Sequence, residues 1–363
     1  MATLTYQKKF ALIICPDMGT CMQVRWGLWQ NIINSKVGGE CRLLILDEPL
    51  YDPYLLYHTA TVVFSRPTLD THFPIINEYA KLKKKYGFKL AVEMDDLLFS
   101  VQGRDVIPEW NPAPIDTVDV GRKYKENLVG IVDRWIVSTD CIAYCLCSEF
   151  GINPDSVDVL PNFCFSSAYW DEHKPTRKKK IDVFYTGSCC HYKEGNPGDL
   201  DGPWIEGLAL AMERGLIKFH AFGENPGILP RGTILHEQVF PGLWASTLSH
   251  YAPDVLIGPL RNHLFNKAKS NLKGLEAAAV GAAFVASVFP GSPYANVTPQ
   301  LTAVTKDTTP DDLMRMFESL LDPAVRKECV KTTRHAVAEA GLVAEMKQGT
   351  DRFINTMFKG FLV

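Results

Sequence analysis

Residues 256 to 287 read LIGPLRNHLFNKAKSNLKGLEAAAVGAAFVAS, and the organisation of the chain follows from them. An apolar run ends at Gly258 and Pro259, a polar loop follows, a helix is expected from about Lys267 to Val280, and a second apolar run covers Ala283 to Ser287. This is a strand, loop, helix, strand unit, the repeating element of a parallel α/β sheet. The loop carries Arg261, Asn262, His263 and Asn266, and Lys267, Lys269, Ser270, Lys273 and Glu276 follow. A helix N-terminus offers free N–H groups and roughly half a positive charge, so lysines and a serine there suit an anion such as a diphosphate. Helical spacing puts Lys269, Lys273 and Glu276 near one face, and Glu276 falls where a carboxylate could take the hydroxyls of a ribose. The same spacing also describes an ordinary amphipathic helix with Leu272, Leu275 and Ala279 inward and solvated lysines outward.

Outward from this unit the same alternation recurs. Apolar runs at Phe10–Cys15, Arg42–Leu46, Thr61–Ser65, Leu90–Met94, Trp135–Val137 and Val157–Leu160 are separated by helix-like segments. A second series starts at Ile181–Tyr185 and continues through Ile217–Phe222, Thr233–Glu237 and Val255–Gly258. The pattern predicts two Rossmann-like, doubly wound domains, residues 1–165 and 166–342, joined by the polar, basic stretch Phe163–Lys180. Helices dominate from Thr309 onward, with the last spanning Val343–Phe358.

Composition sets limits. The chain has 363 residues, 46% hydrophobic and 22% charged, which suits a globular protein with real cores. The N-terminus has no long apolar leader and no run is long enough to span a bilayer, so a cytoplasmic protein without membrane association is expected. Ten cysteines fall largely in apolar contexts, as reduced thiols do; Cys145 and Cys147 are too close for a metal knuckle, and Cys189-Cys190 lacks matching histidines. A net charge of −3 gives no global nucleic-acid signature, leaving two local patches, Lys83–Lys85 and Arg177–Lys180. The absence of GxGxxG weighs against a dinucleotide oxidoreductase.

Open α/β sheets bind ligands at the carboxyl ends of their strands, which singles out three loops. After the first strand come Gly19 and Arg25, placed to meet an acceptor or phosphate, with a salt bridge as the alternative for Arg25. After the fourth come Asp95 and Asp96, whose mutual repulsion would raise one pKa toward that of a useful base, unless one simply caps the next turn. The first strand of the second series ends in Thr186, Gly187 and Ser188, where small residues permit close approach of a phosphate and where His191 or Lys193 could add charge. Phe222, Gly223 and Glu224 are placed to border a nucleotide base.

The donor-side segment resembles that of GT-B glycosyltransferases, in which a glutamate is followed by small residues and a glycine, here Glu276 through Gly281. It is most similar to a phage-associated branch, matched at Pro259, Leu260, Phe265, Asn266, Lys269, Ser270, Lys273, Glu276 and Gly281, with a further likeness at Pro161-Asn162. The resemblance implies a nucleotide sugar, most naturally a UDP-sugar, held by Gly187, Ser188, His191, Arg261, Asn266, Lys269, Ser270, Lys273 and Glu276. It implies Asp95 or Asp96 as base, Gly19 and Arg25 on the acceptor side, no required metal or cofactor, and a last helix (343–363) that returns to the first domain. Many retaining members carry a second glutamate eight residues before the ribose-binding one; Ala268 stands there, so retention is not supported. The phage likeness suggests hydroxymethylated bases of double-stranded DNA, hydroxymethylcytosine first, as acceptor, acted on in a host cytoplasm. A glycan, protein or small-molecule acceptor, a non-catalytic nucleotide-sugar binder, and a phosphorylase or epimerase on the same fold are the alternatives.

Overall fold

A computed structural model describes residues 9–15, 23–36, 41–111, 115–166, 175–187, 191–192, 195–223 and 227–359. Gly19, Ser188, Cys189, Cys190, Lys193 and Glu224 lie outside the described residues.

The first half forms a six-stranded sheet from β1 (Phe10–Ile14), β2 (Arg42–Leu46), β3 (Thr59–Ser65), β4 (Lys89–Met94), β5 (Arg134–Val137) and β6 (Val157–Val159). Their order is β2-β1-β3-β4-β5-β6, and every pairing is parallel. β3 is buried at all seven positions, which is why its sequence TATVVFS is apolar on both faces instead of alternating. The second half repeats the plan with β7 (Ile181–Tyr185), β8 (Ile217–Phe222), β9 (Ile234–His236), β10 (Val255–Gly258), β11 (Ala283–Ser287) and β12 (Ala303–Val304). The order β12-β11-β10-β7-β8-β9 is again fully parallel. In each sheet the winding reverses once, between β1 and β3 and between β7 and β10, and a crevice opens at the carboxyl ends there.

Local chemistry sets the helix limits. Asp116 accepts from the N–H groups of Val118 and Asp119 and starts the helix Thr117–Asn127; Thr309 and Asp312 form a reciprocal capping box ahead of Pro310–Ser319. Left-handed glycines at 87, 151 and 281 end three others.

The chain crosses between the halves twice, and the crossings pair. Cys164 N–H donates to Leu342 O at 2.7 Å and Ala344 N–H to Cys164 O at 2.9 Å. The helix Lys347–Phe358 then lies on the first sheet, where Phe353 stacks on Trp29 with ring centroids 4.3 Å apart and Thr61 donates to Met357 O at 2.6 Å. The seven described cysteines are free thiols. Among the described residues no helix is long and apolar enough to cross a membrane, and no group of three His, Cys, Asp or Glu side chains is placed to hold a metal ion.

Candidate active site

The expected helix from Lys267 to Val280 is broken in two. A single turn, Leu264–Lys267, is followed by a bend, and the main helix spans Leu272–Val280 with Asn271 at its N-cap. Serine and asparagine favour caps over helix interiors; Asn271 stands at the N-cap without a side-chain cap bond and Ser270 Oγ is taken by Asn162, so the helix that the lysine spacing suggested is interrupted at Ser270-Asn271. Lys269 and Ser270 therefore sit in the turn before the helix and Lys273 in its first turn; the shared helical face holds only for Lys273 and Glu276.

Glu276 is buried on that helix and accepts a hydrogen bond from Trp244 Nε1 at 2.6 Å. Burial raises its pKa, against the pull of the Trp244 hydrogen bond and of Lys273. Lys273 Nζ stands 5.9 Å above the Tyr185 ring at the end of β7, which places it over the β7–β10 crevice. Gly187 has a local reason to be glycine: an added Cβ would fall 2.1 Å from the Tyr185 ring. Its small size serves the packing of its own strand.

Across the cleft, Asp95 and Asp96 follow β4 and share one cation, Arg66, with Arg66 Nε 3.1 Å from Asp95 Oδ1 and Nη2 3.6 Å from Asp96 Oδ2. The pair is electrostatically split. Burial pushes Asp95 up to about 6, helped by Asp96 and Glu93 and resisted by Arg66. Burial acts on Asp96 as well, but Lys269 and Arg66 outweigh it and hold that carboxyl below its ordinary value. Lys269 acts on Asp96 through its charge, and the lysine turn of the second half stands beside the acidic pair of the first: Ser138 Oγ donates to Asp95 O at 2.8 Å, and the next residue, Thr139, reaches Ala268. Thr139 Oγ1 fixes this arrangement by donating to Ala268 O at 2.9 Å. Ala268 itself is fully buried in the core of the first half, with no room offered to solvent at that point.

Several expected residues are brought elsewhere. Arg25 was placed on the acceptor side, yet it is 4% exposed and its Nε donates to Glu93 Oε1 at 2.8 Å. It projects from a single π-helical turn, Gln23–Gly27, and its Nη1 also donates to Pro161 O at 3.0 Å. Glu93 is fully buried on β4 and needs that charge, since a lone buried carboxylate is costly; Ser65 completes its shell with a 2.6 Å hydrogen bond. Arg25 thus braces the strand that carries Asp95 from beneath the cleft surface. Asn266 is also buried and supports the loop, its Nδ2 donating to Asp199 Oδ1 at 2.6 Å and to Arg261 O at 3.0 Å. Arg261 pairs with Asp201 and lies 4.8 Å over the Trp110 ring, a contact between the halves at the cleft mouth. Ser270 Oγ accepts from Asn162 Nδ2 at 2.7 Å, a second such contact.

His191 is buried, with Nδ1 2.7 Å from Asp199 Oδ2. Burial first, with Lys269 and Lys273, lowers its pKa to about 4 against the opposing pull of Asp199. The ring is neutral near pH 7.

Sequence reasoning missed Arg66, Glu93, Asp199, Trp110 and Trp244. Arg66 had a signal, a cation before Pro67 at the end of β3; its φ of +50° is a left-handed conformation rare for arginine, held by its N–H donating to Glu93 O at 2.9 Å. The other four act through contacts made only on folding. The two lysine clusters prove distant from the cleft: Lys83–Lys85 close the helix His72–Tyr86 just before β4 begins, and Arg177–Lys180 lead directly into β7. Both stand at the amino ends of parallel strands, opposite to the ends that carry the site. Lys83 is held by Asp133 at 3.0 Å, and Lys178 by Asp254 at 2.8 Å.

No protein-family model and no curated protein sequence matches the chain. Solved structures match in fold. A glycosyltransferase from Rickettsia africae is 10% identical, the match covering 98% of this chain and 99% of that one with a TM-score of 0.58. TarM is 13% identical at a TM-score of 0.56, covering 84% of this chain and 55% of its own, so this chain spans about half the length of TarM. HepE of Anabaena, solved in complex with UDP and glucose, is 9% identical over 96% of this chain and 99% of its own, with a TM-score of 0.57. The fold is GT-B: two parallel six-stranded sheets with flanking helices, the architecture these solved structures share.

Proposed function

We propose that the chain is a glycosyltransferase that moves a sugar from a nucleotide-sugar donor, a UDP-sugar first, to an acceptor hydroxyl. One observation carries the reading: Lys273 and Glu276 share a helix at the end of β7, and the turn before it, which carries Lys269, is held by Thr139 beside the strand end that carries Asp95 and Asp96. In this reading the diphosphate lies at the N-terminus of the helix Leu272–Val280 between the two lysines, and Glu276 holds the ribose while Trp244 fixes its orientation. The lysines offset the charge that develops on the leaving diphosphate. Asp95, with a pKa near 6, is matched to remove a proton from the acceptor hydroxyl at neutral pH, and Arg66 orients it. The matched fold of HepE, which was captured with UDP and glucose, supports the donor assignment.

The acceptor hydroxyl belongs to a carbohydrate or a small molecule in this reading. Hydroxymethylated DNA, the acceptor suggested by the phage likeness, loses its proposed platform, because both lysine clusters lie at the far ends of the sheets and are partly paired. The test is mass spectrometry of acceptors after incubation with UDP-, GDP- and ADP-sugars, using oligosaccharide and small-molecule pools beside hydroxymethylcytosine DNA. A hexose or pentose mass on a carbohydrate supports the reading, and one on a DNA base reverses the acceptor choice. Absence of transfer to any acceptor, with nucleotide affinity intact, would return the chain to the class of binding proteins.

A further inference from the structure

His191 and Asp199 form a buried pair that the transfer chemistry above does not use. Asp199 lies in the short turn Gly198–Leu200, and its two oxygens are engaged. Oδ2 faces His191 Nδ1 at 2.7 Å, while Oδ1 accepts from the Arg261 N–H at 2.9 Å and from Asn266 Nδ2 at 2.6 Å. These bonds hold Asp199 ionised, its pKa pressed below the ordinary value in spite of burial. An ionised carboxylate only accepts, so His191 Nδ1 carries the proton and Nε2 carries the lone pair. No described residue hydrogen-bonds to Nε2.

The charged and titratable groups around the ring come from five elements. Asp199 attracts a proton to it, while Lys269 in the lysine turn and Lys273 on the helix Leu272–Val280 repel one. Asp96, after β4, couples to the ring across the cleft, and the Tyr185 ring of β7 stands 6.5 Å away. Two cations thus suppress protonation of a histidine that its own carboxylate favours.

We propose that His191 takes a proton onto Nε2 when a nucleotide sugar binds and becomes a third cationic donor to the diphosphate. The inference rests on the donor site proposed above. A diphosphate between Lys269 and Lys273 neutralises the two charges that, beside burial, keep the ring uncharged, and an opposite charge within a few Å raises such a titration by about one to three pH units. The proton comes from solvent and returns there when the nucleotide leaves; no other bond forms or breaks. Donor affinity therefore rises as pH falls, by up to about tenfold per pH unit where a full proton is taken up, as linkage requires.

The experiment is isothermal titration of the whole chain with UDP-glucose at pH 6 in two buffers of different ionisation enthalpy. Both phosphates of UDP-glucose are esterified and hold constant charge in this range. The expected result is net proton uptake by the wild type, lost in His191→Gln, which keeps a donor for Asp199, and retained in Asp95→Asn, which removes the carboxyl that burial raises to about 6. As a check independent of that variant, the imidazole NMR signal of His191 in the wild type should titrate higher with UDP-glucose bound than without, and Lys269→Gln should raise it in the free protein. Binding heat that does not depend on the buffer, or uptake unchanged in His191→Gln, overturns the proposal while leaving the donor site standing. Absence of binding by UDP-, GDP- and ADP-sugars alike would remove the donor site and this proposal with it.

Discussion

Replacing Asp95 with asparagine should make the protein more stable and nearly inactive. The structure raises the Asp95 pKa from 3.8 to about 6, mainly through burial. Two pH units at 1.36 kcal/mol each correspond to about 3 kcal/mol by which the folded state disfavours the ionised form. The sign follows from proton counting: between pH 4 and 6 the folded state binds more protons than the unfolded one, so this contribution to stability falls as pH rises through that window. Asparagine carries no charge to bury, so Asp95→Asn should gain about 1 to 3 kcal/mol at pH 8, less the ion pair lost with Arg66. The gain should vanish near pH 4, where wild-type Asp95 is already protonated. Turnover should fall by about 10² to 10⁴, because asparagine cannot take the acceptor proton, and the wild-type rate should lose activity on the acid side near pH 6. Urea denaturation at pH 8 and pH 4, with initial rates across the same range, measures both effects. A variant that is less stable at pH 8 and turns over at the normal rate would refute the assignment of Asp95 as a strained base.

Other substitutions test the support of the site. Arg25→Ala leaves Glu93 buried without its cation and should cost about 3 to 5 kcal/mol in urea denaturation, whereas Arg25→Met with Glu93→Leu should recover much of it. Gly274→Ala pits a helix-propensity gain of about 1 kcal/mol against overpacking of about 1 to 3 kcal/mol. A Cβ there would fall 2.7 Å from Val297 Cγ2, so net destabilisation is expected, measured as a lower melting temperature. Lys273→Ala should weaken UDP binding in calorimetry by about 1.5 to 3 kcal/mol, the range for a hydrogen bond to a charged group, with the melting temperature of the free protein nearly unchanged.

Both sheets were legible because buried parallel strands are largely apolar runs, and such runs mark β1 to β11, leaving only the two-residue β12 unread. The acidic pair and the lysine segment were legible as well, since each is contiguous in sequence. The start of the donor-side helix was not, because periodicity is blind to Ser270-Asn271, where Asn162 of the first half takes the serine hydroxyl and the asparagine stands at the N-cap. Arg25 was misplaced for a related reason: an arginine after a strand looks the same whether it faces a ligand or a carboxylate buried 68 positions away. Asp199 and Trp244 carry no local pattern. Each matters only because folding brings it to His191 or Glu276.

The measurement that bears most directly on a donor site in the second half compares Glu276→Gln with the wild type in nucleotide-dependent unfolding. Saturation with UDP at about 100 times its dissociation constant should stabilise the wild type by about 2.7 kcal/mol. Glu276→Gln should lose most of this stabilisation with UDP yet keep its response to pyrophosphate, because only the ribose contact is removed. Equal responses of both proteins to UDP, or no response of the wild type to any nucleotide, would contradict the donor site.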